Sequence, residues 1–168
     1  MRYGGSTALS SQEMTDRPVF VERPPDWLRW GGGVFLLLIA VLLAVTGGLE
    51  SSWELYLGAV FFLGVGLWWC FLARIAAVVD EEQVKLSGPL WKHTVRRGDL
   101  HDVSVDTDSG MNTGLVNWPV TSHKRGSRVR MNMGGSAVVT FSENSGRSYQ
   151  FVLAEWRSAE RMARAITD

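Results

Sequence analysis

The chain has little with which to do chemistry. Its one cysteine, Cys70, excludes an intrachain disulfide and a cysteine-based metal knuckle, and says nothing about redox compartment. The 17 basic and 17 acidic residues cancel to a formal net charge of +0, so no global field argues for a nucleic-acid partner. The three histidines, His93, His101 and His123, share no metal-ligand spacing. Asp99, His101, Asp102 and Ser104 bring acid, base and hydroxyl together in sequence, yet no nucleophile elbow or glycine-rich phosphate loop accompanies them. Asp106, Asp108 and Gly110 echo part of a calcium loop. The third carboxylate or amide and the distal glutamate are missing, and an acidic turn is expected. No catalytic residue, metal or cofactor is assigned, and the chain reads as a non-enzyme.

The most informative absence is of Asp, Glu, Lys, Arg and His from two stretches, Gly31 to Leu49 and Leu55 to Ala73. A helix needs about 20 apolar residues to cross a bilayer core, and each stretch comes within a residue or so of that. They read as a transmembrane helical hairpin over residues 27–74, with spans at about 31–49 and 55–73. With no charged group inside, a proton relay, voltage sensor or ion site is not expected. The first run is longer than a signal-peptide core, sits behind about 30 residues and lacks a good small-residue cleavage site, so it reads as a retained span.

Arg17, Arg23 and Arg29 precede the first span and Arg74, Lys85 and Lys92 follow the second. The joining loop holds Glu50 and Glu54 without a cation. The positive-inside rule then puts both termini in the cytoplasm, as a multi-pass protein of the plasma membrane. Trp27, Trp30, Trp53, Trp68 and Trp69 fall where interfacial aromatic belts sit. Ser51 and Glu54 have capping-box spacing for the second helix. Ala40, Ala44 and Gly48 form a small-residue stripe that lets a helix approach closely, either span two of the same chain or a second copy.

Residues 1–26 are polar with prolines at 18, 24 and 25, and read as a disordered cytoplasmic tail, with Met14 an alternative translation start to Met1. Residues 75–168 carry period-two segments: Ile75 to Val79, Val84 to Ser87, Trp91 to Arg96, then Leu100, Val103 and Val105. Alternation returns at Val129, Met131 and Met133, with Arg128, Arg130 and Asn132 expected to face water. It continues through Val139 and Phe141 to a hairpin completed by Tyr149, Phe151 and Leu153. A helix at about 158–167, capped by Ser158, places Ala159, Met162, Ala163 and Ile166 on one stripe, with Glu160 and Arg164 paired outside. The fold class is a membrane α-hairpin plus an α+β domain, a small antiparallel β-sheet or barrel with one C-terminal helix.

That order resembles the pleckstrin-homology-like (PH-like) domains of bacterial membrane proteins. Glu22-Arg23-Pro24-Pro25-Asp26-Trp27 before the first span, the acidic outer loop, Trp118-Pro119-Val120 and Ser148-Tyr149-Gln150-Phe151-Val152 make the chain similar to an actinobacterial family of two-span membrane proteins of unknown function. The resemblance runs from about Val19 to the end and implies no catalytic residues. The only concentrated basic run holds Lys124, Arg125, Arg128 and Arg130, the candidate contact for anionic lipid headgroups or an unknown protein partner. The expected function is a membrane-anchored domain for protein or lipid binding. The alternative is a small assembly subunit acting through its hairpin.

Overall fold

The computed structural model describes residues 18–111, 119–123 and 127–168. In chain order the elements are β1 (Val19–Glu22), α1 (Asp26–Glu50), α2 (Trp53–Phe71), β2 (Ile75–Val79), β3 (Gln83–Gly88), β4 (Trp91–Arg96), β5 (Leu100–Thr107), β6 (Val120–His123), β7 (Arg128–Met131), β8 (Ala137–Glu143), β9 (Ser148–Leu153) and α3 (Trp156–Thr167). Both α1 and α2 are long and apolar enough to cross a membrane.

The two helices pack on each other through a seam that repeats every seven residues, not every four. Gly33, Ala40 and Gly47 face α2, with Leu36 and Leu43 between them, against Leu55, Ala59, Gly66 and Cys70. A seven-residue step rotates about 20° around a straight helix, so the stripe stays on the partner. A four-residue step at 3.6 residues per turn rotates about 40°. Of the expected stripe, Ala40 is buried in this seam, Ala44 is half-buried, and Gly48 is exposed at the seam's margin beside the Tyr56 hydroxyl of α2. At Gly33 a side chain would collide with the Cys70 sulfur. The turn also differs from expectation. Ser51 ends α1 in the left-handed region at φ 54°, and the cap of α2 is Ser52, whose hydroxyl donates to Glu54 at 2.8 Å.

The β-domain has two sheets, one of order β1-β2-β3-β4 and one of order β5-β8-β9-β7-β6. They enclose one core, in which Ile75, Val84, Leu86 and Val95 meet Met131, Val139, Phe141, Tyr149 and Phe151. α3 supplies Ala159, Met162 and Ile166 to that core, all at or below 4% exposure, on the expected stripe. Its start does not match the expectation: Glu155 is the N-cap, and the Ser158 hydroxyl accepts from Arg161 at 3.1 Å. The helix begins earlier because the chain turns as soon as β9 pairing ends. Outside, Glu160 accepts from the Trp156 indole at 2.8 Å.

Two further expectations are corrected. Residues 19–22, read as tail, are an edge strand antiparallel to β2, with Phe20 opposite Ala77 in the core. The run is β-prone and bounded by Pro18 and Pro24, as edge strands tolerate. The expected tail over 1–17 lies outside the described residues. The domain is also not wholly antiparallel, because β7 pairs with β9 in parallel. The crossover from β5 to the edge at β6 allows this.

Candidate functional site

Strand direction gives the β-domain two chemically different ends. At the first, β1 leads into α1 and α2 leads into β2, so both apolar helices attach there. Glu22 lies opposite Ile75, and its carboxylate accepts the Ala154 N–H at 3.1 Å, which puts the β9–α3 junction at this end. Burial pushes the Glu22 carboxyl above the ordinary carboxylate range, against the lowering by that bond. The β3–β4 turn, Pro89-Leu90, is here too, since Ser87 pairs with Ala76 and Gly88 with Trp91. The far end holds the β2–β3 and β8–β9 turns and the C-terminus of α3, which Arg97 ties down by donating to the Ile166 carbonyl at 2.9 Å.

The basic run divides. Lys124 and Arg125 lie outside the described residues. Arg128 is exposed at the start of β7 opposite His123, at the far end of the domain. Arg130 faces away from solvent. It donates to both Asp108 oxygens at 2.8 and 2.7 Å, and the pair is only 18% and 10% exposed. The guanidinium holds the Asp108 carboxyl below its ordinary range.

Arg130 belongs to a latch rather than to a binding surface. After β5 the chain folds back: Asp108 N–H donates to Ser136, and Gly110 donates to the Asp108 carboxylate at 2.7 Å. Asn132, 1% exposed, donates to the Gly110 carbonyl at 2.9 Å and accepts from Gly134 N–H at 2.7 Å. Gly110, at φ +71°, has no room for a side chain against Gly135. Since β5 is one edge and β7 lies beyond β8 and β9, this segment crosses the outer face of the sheet. There Val138 and Val152 are buried outside the main core. The expectation that Arg130 and Asn132 face water is therefore wrong, because alternation does not reveal that a loop covers that face.

The other candidates disperse. His101 contacts Asp102 at 3.5 Å, and both are exposed. Ser104 lies past a β-bulge, with Asp102 at φ 54°, and bonds Asp106 rather than His101. His93 stacks on Tyr149, which stacks on Phe141, each at 5.5 Å. Burial pushes the Tyr149 hydroxyl up to about 12. Between edge strands β4 and β6 a cavity of about 370 Å³ is lined by Trp91, Val120, Val129 and Arg147. Among the described residues no group of three His, Cys, Asp or Glu could hold a metal.

The tryptophans serve two roles. Trp27, Trp30 and Trp53 are exposed, at 76%, 49% and 64%. Trp30 meets Phe71 edge-on at 6.1 Å and takes the Arg29 guanidinium at 5.2 Å, while Arg29 also pairs with Asp26 at 3.0 Å. Trp68 is half-buried. Trp69 is an inter-helix contact, its indole N–H donating to the Leu28 carbonyl at 3.4 Å and its ring lying against Gly32. No family model, no curated protein and no solved structure matches the chain.

Proposed function

We propose that the chain is a non-enzymatic integral membrane protein, held in the plasma membrane by α1 and α2, that presents a PH-like domain to a cytoplasmic protein partner. The PH-like reading rests on two sheets around one core closed by a single C-terminal helix. The cytoplasmic orientation rests on Arg23, Arg29, Arg74 and Lys92 against the acidic loop at Glu50 and Glu54.

The observation that carries the choice of a protein over lipid headgroups is the position of Arg128. β8 has seven residues and spans about 23 Å at 3.3 Å per residue. The potential of a leaflet at the helix-attached end falls off over a Debye length of about 8 Å. Arg128 is therefore beyond the field of the bilayer that would hold the helices, and the far end, where Arg128 stands with the exposed Glu81, Glu82 and Asp102, is free for a protein partner. Charge reversal at Lys124, Arg125 and Arg128, with Arg130 left to its latch, is expected to strip a co-purifying protein from the full chain in mild detergent. Retention of every co-purifying protein would overturn the reading.

The alternative, an assembly subunit working through the helices, is favoured by an apolar groove of about 250 Å³ between α1 and α2 lined by Gly33, Leu37, Gly66 and Phe71. Gly64, with nothing within 4 Å of an added side chain, also faces outward. Under that reading Gly64→Leu disperses a native-gel complex. Under the first it leaves the complex intact.

A further inference from the structure

The β3–β4 turn puts its most apolar residue where water would be expected. Leu90 is 94% exposed and sits at φ +58°, in the left-handed region where a two-residue turn opened by proline favours Gly or Asn. A leucine there costs backbone strain and leaves a large apolar side chain almost wholly exposed at the rim of the cavity beside Trp91 and Val120, two local penalties for the fold. Such a violation points to something outside the β-domain.

Its location names the occupant. Gly88 lies level with Ile75, the first residue of β2, so the Pro89-Leu90 tip projects past the level at which the chain arrives from α2. From Phe71 to Ile75 is four residues, which span at most about 14 Å, and the same holds from Glu22 to Asp26. Part of that gap is covered by one residue of strand rise, about 3.3 Å, plus a leucine side chain. Around the tip at this end stand the exposed cations Arg23, Arg74 and Lys92 and the exposed Leu72. Among the acids nearby, Glu22 is bonded to Ala154 and Asp26 to Arg29, while Glu155 is exposed. An apolar tip ringed by cations fits a leaflet containing anionic lipid.

We infer that the helix-attached end of the β-domain is a lipid-facing surface, with Leu90 inserted as a wedge into the leaflet that holds α1 and α2 and with Arg23, Arg74 and Lys92 against its headgroups. This inference rests on the membrane reading of the two helices. It moves lipid contact from the basic run to the opposite end of the domain, and pins the domain so that Arg128 points away from the bilayer.

The test uses the full chain with Cys70→Ser in nanodiscs containing phosphatidylglycerol, carrying one nitroxide at a time at Leu90→Cys, Val41→Cys or Ser145→Cys. Relative accessibility to oxygen and to a water-soluble nickel chelate is measured. The expected result is a severalfold higher oxygen-to-nickel ratio at 90 than at 145, on the side of the value at 41. A ratio at 90 equal to that at 145, with 41 in lipid, overturns the wedge and leaves the membrane reading standing. A watery value at 41 overturns both. As a second arm, a label at Lys92→Cys is expected to shift toward the aqueous value when Leu90→Asn is added, because Asn keeps the turn and removes the wedge. No shift would overturn the role of Leu90.

Discussion

Leu38 of α1 is 62% exposed and Leu86 of β3 is 1% exposed, in one chain. The same contrast is general: only 17% and 11% of the residues in the most apolar stretches of α1 and α2 are buried, whereas most large apolar side chains of the β-domain line a common core, Leu90 being the main exception. The two regions dispose of their large apolar side chains in opposite ways. The β-domain removes apolar surface from water, worth about 25 cal/mol per Å². The helical pair buries small residues at its seam and turns Leu, Val and Phe outward, an arrangement that suits hydrocarbon, where close backbone approach drives association.

Substitutions should separate the regions. The largest effect is expected from Phe151→Ala, which removes a fully buried ring and costs the β-domain about 3–5 kcal/mol while leaving the helical signal of α1 and α2 intact. Loss of both in one transition by circular dichroism would mean the regions are a single folding unit.

Arg130→Ala is expected to destabilise the β-domain by about 2–3 kcal/mol at neutral pH, since it strands the largely buried Asp108 carboxylate. The sign with pH follows from Asp108. Its folded pKa is depressed, so its stabilisation is complete above the unfolded value near 4 and is lost as pH falls through the folded one. Denaturant titrations should therefore show the gap between wild type and Arg130→Ala closing in acid.

Within the helices, Gly33→Leu is expected to weaken the pair by about 1–3 kcal/mol through collision with Cys70, read as loss of inter-helix cross-linking. Gly31→Leu, an exposed position of the same helix with nothing within 4 Å of an added side chain, should cost far less, and equal effects would refute the seven-residue seam. The smallest change has the opposite sign: Leu90→Asn should stabilise the β-domain by up to about 1 kcal/mol by relieving left-handed strain. A native residue that lowers stability at the helix-attached end fits a surface shaped for something other than folding.

Periodicity that a segment carries within itself was legible in the residues. Two apolar runs of membrane-crossing length, the Trp91–Arg96 strand and the Ala159-Met162-Ile166 stripe all depend on which side of one element is apolar, and the sequence by itself determined them. What depends on distant pairing was not. β1 is four residues long and gains its place only from β2, more than 50 positions away. Arg130 and Asn132 alternate like solvent-facing residues, and only the return of the chain over β8 and β9 buries them. The separation of Arg128 from the helices, and the placing of Leu90 beside them, follow from how the strands are ordered and directed. Local pattern selects which face of an element is buried. Only the assembled sheets decide which end of each strand lies next to the helices.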